Sequence, residues 1–323
     1  MIKDQIEKLY HKNETLDGGG QFLTLEQSYQ LRGIAMVMII IAHLSNHLKK
    51  VYGIDTGYLG LGGEFGNAIF LFVSGYGIYL SMMKRGYSLN LRYLWQHIVK
   101  IVVPFIIAFI VTCAGCYIIG DDYSARDAVM DFLTMTIPFT REWFLKAIIM
   151  LYGFSFISFK IARTPFTRVL TVFVLSVIYC IIGFFVGLGA WMFDTILCFA
   201  GGMFIASIQN IMREAKWARL FVICAILFLI CMCLPLPYIK NTLYGFFLAL
   251  TFVYGIKLTN KNLRLFHFVG LNSILLYLFH IGFVHVHYSP LIDPIVTVSV
   301  AFGLTFAYLG VKKYIDRMIV AIS

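Results

Sequence analysis

Leu31-Arg32-Gly33-Ile34-Ala35-Met36-Val37-Met38-Ile39-Ile40-Ile41-Ala42-His43-Leu44-Ser45-Asn46-His47 decides the fold class of this chain. From Gly33 to Ala42 every residue is apolar or small, and the apolar block continues to about residue 50. A helix of ~20 such residues is long enough to cross a bilayer. Similar blocks recur near 65–83, 98–119, 143–159, 169–189, 191–208, 219–235, 241–256, 266–285 and 292–311. The pattern predicts an all-α, polytopic transmembrane helix bundle of about ten spans.

Composition excludes a soluble fold. Hydrophobic types make up 60% of the 323 residues and charged types only 13%. That leaves too little polar surface to cover a globule of this size. The net charge of +10 does not mark a nucleic-acid surface, because Lys and Arg fall in the breaks between apolar blocks. Lys84, Arg85 and Arg92 follow the second block. Lys160, Arg163 and Arg168 follow the fourth, and Arg213, Lys216 and Arg219 the sixth. Lys257, Lys261 and Arg264 follow the eighth, and Lys312, Lys313 and Arg317 the tenth. The intervening loops are poorer in base, and one holds Asp121, Asp122, Asp127 and Asp131. Basic loops stay in the cytoplasm, so both termini are expected there.

Residues 1–30 show no secretory leader pattern and read as a cytoplasmic tail, with Gly18-Gly19-Gly20 as a flexible joint. Residues 31–311 form the membrane domain and 312–323 a second cytoplasmic tail. The seven Cys all lie in apolar segments. Cys113 and Cys116 are a C-x-x-C with no second pair or nearby His, so no metal site is expected and the thiols read as packing residues. No internal repeat is evident.

Ionisable groups within a span cost roughly 2.5–3.5 kcal/mol each on insertion scales, so they need a partner or a task. Arg32 and His43 are eleven residues apart, about three turns, which puts them on one helix face roughly 16 Å apart. With Arg32 at the cytoplasmic boundary, His43 falls near mid-bilayer; His47, a turn further, reads as an interfacial residue. Gly66-Asn67-Ala68-Ile69-Phe70-Leu71-Phe72-Val73-Ser74-Gly75-Tyr76-Gly77 places Ser74 at similar depth. Gly75 and Gly77 permit either close helix approach or a local backbone opening. Ser273, Tyr277 and His280 follow an i, i+4, i+7 spacing and share one face. In a straight span, His280 lies about 20 Å from the cytoplasmic edge, in the outer half. Arg141-Glu142-Trp143-Phe144-Leu145-Lys146 opens the fourth span, where Trp143 is either a belt aromatic or part of a polar mouth. Asp194, near the outer end of the sixth span, can pair with one of those cations or meet a substrate. His285 and His287 read as exposed outside.

These segments resemble the acyltransferase-3 family of membrane acyltransferases. Leu31-Arg32-Gly33-Ile34-Ala35 with His43 resembles the family's Arg, ten residues, His motif. Phe70-Leu71-Phe72-Val73-Ser74-Gly75-Tyr76 is similar to its FFxxSGF segment, with Tyr for the last Phe. Trp143-Phe144-Leu145 with Tyr152, and Ser273 with Tyr277-Leu278 and His280, resemble its WFL…Y and S…YLxH segments. The stretch from Arg92 to Pro104, with Lys100, matches the family's basic stretch only loosely.

The resemblance implies transfer of an acyl group, most commonly acetyl, from cytoplasmic acyl-CoA to a hydroxyl of a surface polysaccharide or lipid-linked glycan. The setting would be a bacterial cytoplasmic membrane, with lipid around the bundle, no nucleic-acid partner and no permanently bound cofactor. Arg32, Arg92 and Lys100 would meet the donor's phosphates. His43 would be the general base; alternatively His43 or Ser74 would carry the acyl group. Ser74, Tyr277 or His280 would donate to the oxyanion. Glu142, Trp143, Tyr277 and Asp194 would contact the acceptor. The competing class is a transporter or flippase for a glycolipid or small solute, which also uses buried His and Arg.

Overall fold

The structure is a computed structural model. It describes residues 21–323 except 87–88, 120–122, 139–142, 214–215, 237–238, 260, 262, 285–287 and 323, with backbone alone at 213 and 314–322. Glu142, Arg141, Asp121, Asp122, His285, His287 and the glycines at 18–20 lie outside the described residues. The described residues form helices and connecting turns, with no strand.

The thirteen α-helices among the described residues, in chain order, are α1 (Leu25–Tyr52), α2 (Gly62–Arg85), α3 (Leu91–Ile119), α4 (Ala125–Leu133), α5 (Phe144–Ile161), α6 (Pro165–Val186), α7 (Leu197–Ser207), α8 (Gln209–Arg213), α9 (Trp217–Met232), α10 (Ile239–Thr259), α11 (Arg264–Leu271), α12 (Ser273–Phe283) and α13 (Ile292–Ile322). Eight segments of the described chain are long and apolar enough to cross a membrane. The pair α11 and α12, broken at Asn272, makes up to nine. The block at 219–235 is α9, of 16 residues. At 1.5 Å per residue that is about 24 Å, short of a ~30 Å hydrocarbon core. Each of the ten apolar blocks thus holds helix, and eight of them are long and apolar enough to cross a membrane.

Helix ends differ from the block edges where capping chemistry extends them. α1 starts six residues before the apolar block. Gln27 N donates to Thr24 Oγ1 at 3.2 Å, and Thr24 N donates to Gln27 Oε1 at 3.1 Å. This reciprocal capping box satisfies amide groups that a helix start leaves open. The same logic starts α6 at Pro165, with Thr164 and Thr167 bonded reciprocally and Gly187 ending the helix at φ 79°. At the other end, α13 continues through 312–322, which the sequence read as a tail.

The chain divides into two compact units. Among the described residues, the first holds 21–37, 64–94 and 147–271. Its core includes Leu31, Met36, Ile69, Phe72, Tyr76, Phe199 and Tyr254, all essentially inaccessible. Two backbone crossings tighten it. A Cβ at Gly75 would sit 2.0 Å from Phe199 O, and one at Gly202 would sit 1.9 Å from Phe72 O. A Cβ at Gly33 would sit 1.9 Å from Phe266 O, and one at Gly270 would sit 1.7 Å from Tyr29 O. Only glycine lets α2 meet α7, and α1 meet α11, this closely. Gly75 therefore serves close packing. The alternative of a backbone opening there does not hold, since α2 runs unbroken from Gly62 to Arg85.

The second unit holds residues 38–63, 95–146 and 272–323. In it α12 packs on α13, and Phe105, Phe109 and Phe132 form an aromatic cluster with centroid spacings of 5.4–6.1 Å.

Candidate functional site

The second unit brings together residues from three distant parts of the chain. His43, on α1, and His280, on α12, approach to 2.8 Å between His43 Nδ1 and His280 Nε2. His280 is fully buried, and its Nδ1 lies 2.9 Å from the carbonyl oxygen of Leu276 one turn earlier. Tyr277 packs against both histidines, at ring centroids 6.5 Å from His43 and 5.7 Å from His280. Phe144 lies 5.6 Å from Tyr277, and Trp143 meets Phe144 edge-on at 5.9 Å. Trp143 is buried, as are Phe144 and Tyr277.

The Leu276 carbonyl fixes the protons in this chain. A carbonyl oxygen can only accept, so His280 Nδ1 carries a hydrogen and donates it. In a neutral ring, His280 Nε2 then holds the lone pair and accepts from His43 Nδ1–H. His43, also neutral, consequently presents the lone pair of its Nε2. Three groups in sequence thus set one tautomer, as an acceptor behind a catalytic histidine generally does.

The local fold explains the placement. α12 begins at Ser273, after the break at Asn272, so Ser273, Tyr277 and His280 lie on one short helix. Their i, i+4, i+7 spacing keeps them on one face, as expected. The break changes the predicted depth of His280, since a straight span from residue 266 does not exist.

The other candidate residues are distributed. Arg32 and Ser74 belong to the first unit. Ser74 is buried on α2. Arg32 is half-buried; its Nε is buried without a hydrogen-bond partner among the described residues, and it interacts electrostatically with Tyr152. Its Nη2 would lie 3.9 Å from a Cβ at Gly77, so the missing side chain there leaves room beside the guanidinium. Arg92 and Lys100 are both exposed on α3. Asp194, also in the first unit, is buried. Its Oδ2 accepts from Asn241 Nδ2 at 2.8 Å, and its Oδ1 has no hydrogen-bond partner among the described residues. Nearby in that unit, Tyr244 donates to Glu64.

His47, read from the sequence as an interfacial residue, is buried against protein, and its Nε2 lies 2.9 Å from Asp293 Oδ2. The same oxygen accepts from Tyr52 Oη at 2.6 Å. Asp293 Oδ1 accepts from the amides of Tyr288 at 2.7 Å and Ser289 at 3.0 Å. Asp293 is an acid in an apolar block, the signal that singled out His43.

A multi-pass helical membrane protein with a hydrogen-bonded histidine pair, His280 buried and His43 half-buried, is the class that fold and site define. A family model described as an acyltransferase domain matches residues 29–311, and the chain belongs to that acyltransferase-3 family. It is therefore a membrane acyltransferase. Among curated proteins and among solved structures, none matches the chain.

Proposed function

We propose that the protein is an O-acyltransferase, most simply an O-acetyltransferase. It takes the acyl group from cytoplasmic acyl-CoA and passes it to a hydroxyl of an extracytoplasmic or lipid-linked glycan, in a bacterial cytoplasmic membrane. The observation that carries this reading is the hydrogen-bonded series from Leu276 through His280 to His43. It leaves a basic nitrogen on His43 and a lone pair behind it to stabilise the charge that the base acquires.

In the reaction, His43 Nε2 takes the proton from the acceptor hydroxyl as its oxygen attacks the thioester carbonyl. The imidazolium formed is held through its Nδ1–H by His280 Nε2. Charge-assisted hydrogen bonds of this kind contribute about 1.5–3 kcal/mol. The C–S bond then breaks, the ester remains on the glycan, and the sulfur leaves with the proton returned by His43. A positioned base gives typically ~10²–10⁴-fold in rate. Tyr277, packed on both histidines, is the donor we assign to the oxyanion, and Trp143 offers a ring for a sugar face. Arg32, Arg92 and Lys100 are assigned to donor phosphates on their charge, Asp194 and Glu142 to the acceptor, and Ser74 to a secondary oxyanion contact.

The test is mass spectrometry of surface glycans from cells with the wild-type protein, without it, and with His43→Ala. One acetyl unit per repeat should disappear in the latter two, with the variant still inserted at wild-type level. Unchanged acylation in His43→Ala would remove His43 from the mechanism, and glycans identical with and without the protein would remove the acceptor class.

A further inference from the structure

The first unit contains a second charged centre that the proposed chemistry does not use. Lys257, two residues before the end of α10, is only 8% exposed. Its ammonium lies 4.4 Å from the ring centroid of Phe22 and 4.6 Å from that of Trp217. Phe22 is itself buried, held by its amide donating to Gln209 at 3.3 Å and by an edge contact with Tyr254 at 5.9 Å. Two aromatic faces accept positive charge but do not replace the oxygen acceptors that three N–H groups require. Among the described residues, the contacts of the Lys257 ammonium are these two rings.

A second feature at the same place also favours an anion. Trp217 is the first residue of α9, and the residue before it, Lys216, supplies no side-chain hydrogen bond to the helix start. The first amides of a helix lack intrahelical acceptors and carry the positive end of the helix dipole. The ring that stacks on Lys257 thus belongs to the opening residue of an uncapped helix. Lys216 and Arg219 are exposed on the same turn. All three cations fall on the side that the basic loops assign to the cytoplasm.

We propose that Lys257, with the first turn of α9, forms a binding site for a phosphate ester. Lys257 supplies the buried charge, the α9 amides supply directed N–H groups, and Lys216 and Arg219 attract the anion from solvent. Two sources carry that chemistry, the nucleotide phosphates of the acyl donor and the headgroup of an anionic lipid. The first rests on the donor assignment above; the second does not.

The test uses the full-length protein in nanodiscs, with Lys257→Met and Lys257→Arg. In phosphatidylcholine discs, a nucleotide site predicts that Lys257→Met weakens CoA binding at least tenfold and leaves pantetheine unchanged, while Lys257→Arg stays within threefold. In discs containing phosphatidylglycerol, a lipid site predicts that the wild type retains that lipid through purification and Lys257→Met does not, with CoA affinity equal in both. An amine-labelling experiment on the wild type does not depend on any variant folding: CoA or phosphatidylglycerol should slow labelling of Lys257, read by peptide mass spectrometry. Equal CoA affinity and equal lipid retention in wild type and Lys257→Met, without protection from labelling, would overturn the site while leaving the donor assignment intact. A wild type that binds no CoA but retains the lipid through Lys257 would keep the site and remove the donor assignment.

Discussion

His280 Nε2 lies 2.8 Å from His43 Nδ1, and the carbonyl of Leu276 behind His280 sets which of the two rings donates. Which nitrogen of His43 carries the lone pair is therefore set by a backbone atom on another helix. Helix geometry keeps the Leu276 oxygen one turn before His280, so the orientation needs no further side chain. In the proposed reaction His280 would act through His43, as a positioning residue.

That relation separates two variants at position 280. Gln offers an amide oxygen able to accept from His43 Nδ1–H, so His280→Gln should retain the tautomer and a measurable part of the activity. His280→Ala removes the acceptor, and kcat should fall by about 10²–10³-fold, within the range expected for a general base. KM for the donor should change little in both. Initial rates on purified protein check this, and equal rates for the two variants would separate His280 from the orientation of His43.

Asp293 gives a prediction about stability. Its two oxygens collect four donors, from His47, Tyr52, Tyr288 and Ser289. Asp293→Ala leaves them all without that acceptor, and should cost about 3–5 kcal/mol, as expected when one side of a buried charged cluster is removed. Asp293→Asn keeps one oxygen and should cost about 1–3 kcal/mol. Thermal unfolding in detergent ranks them. Equal transition temperatures for wild type and Asp293→Ala would mean that the cluster contributes nothing to stability.

Gly75 and Gly77 look alike in sequence and differ in space. A Cβ at Gly75 would overlap the backbone oxygen of Phe199 at 2.0 Å, and neither partner can yield without moving a helix. At Gly77 the nearest atom is the Arg32 side chain at 3.9 Å, an ordinary contact distance. Gly75→Ala should therefore lower the yield of folded protein several-fold, and Gly77→Ala should leave it near wild type. Size-exclusion recovery after membrane extraction measures the difference.

The same pair shows what the sequence could and could not reveal. Apolar length was sufficient to find all ten helical blocks, because a bilayer demands that length. Spacing was sufficient to put Ser273, Tyr277 and His280 on one face. Spacing could not show that α11 stops at Leu271, because the break at Asn272 involves no proline and so carries no strong breaker signal. The start of α1 was legible in Thr24 and Gln27, but the polar tail around them hid the capping box. Tertiary partners were the least visible part. Nothing near His47 in sequence points to Asp293, 246 residues away, and nothing near His43 points to the Leu276 carbonyl.

Tyr277 provides the sharpest test of the oxyanion assignment. Its ring packs on Phe144 at 5.6 Å and on both histidines, so replacing the whole side chain would disturb His43 as well. Tyr277→Phe keeps those ring contacts and removes only the hydroxyl. If that hydroxyl donates to the tetrahedral oxygen, kcat should fall by roughly 10²–10³-fold, the usual loss for one oxyanion donor. Donor KM should hold, because the proposed contact of the hydroxyl is to the transition-state oxygen and not to the bound donor. A Tyr277→Phe protein with wild-type kcat would leave Tyr277 as a packing residue and move the oxyanion role to another donor. A variant with a raised KM and unchanged kcat would assign the hydroxyl to substrate binding instead.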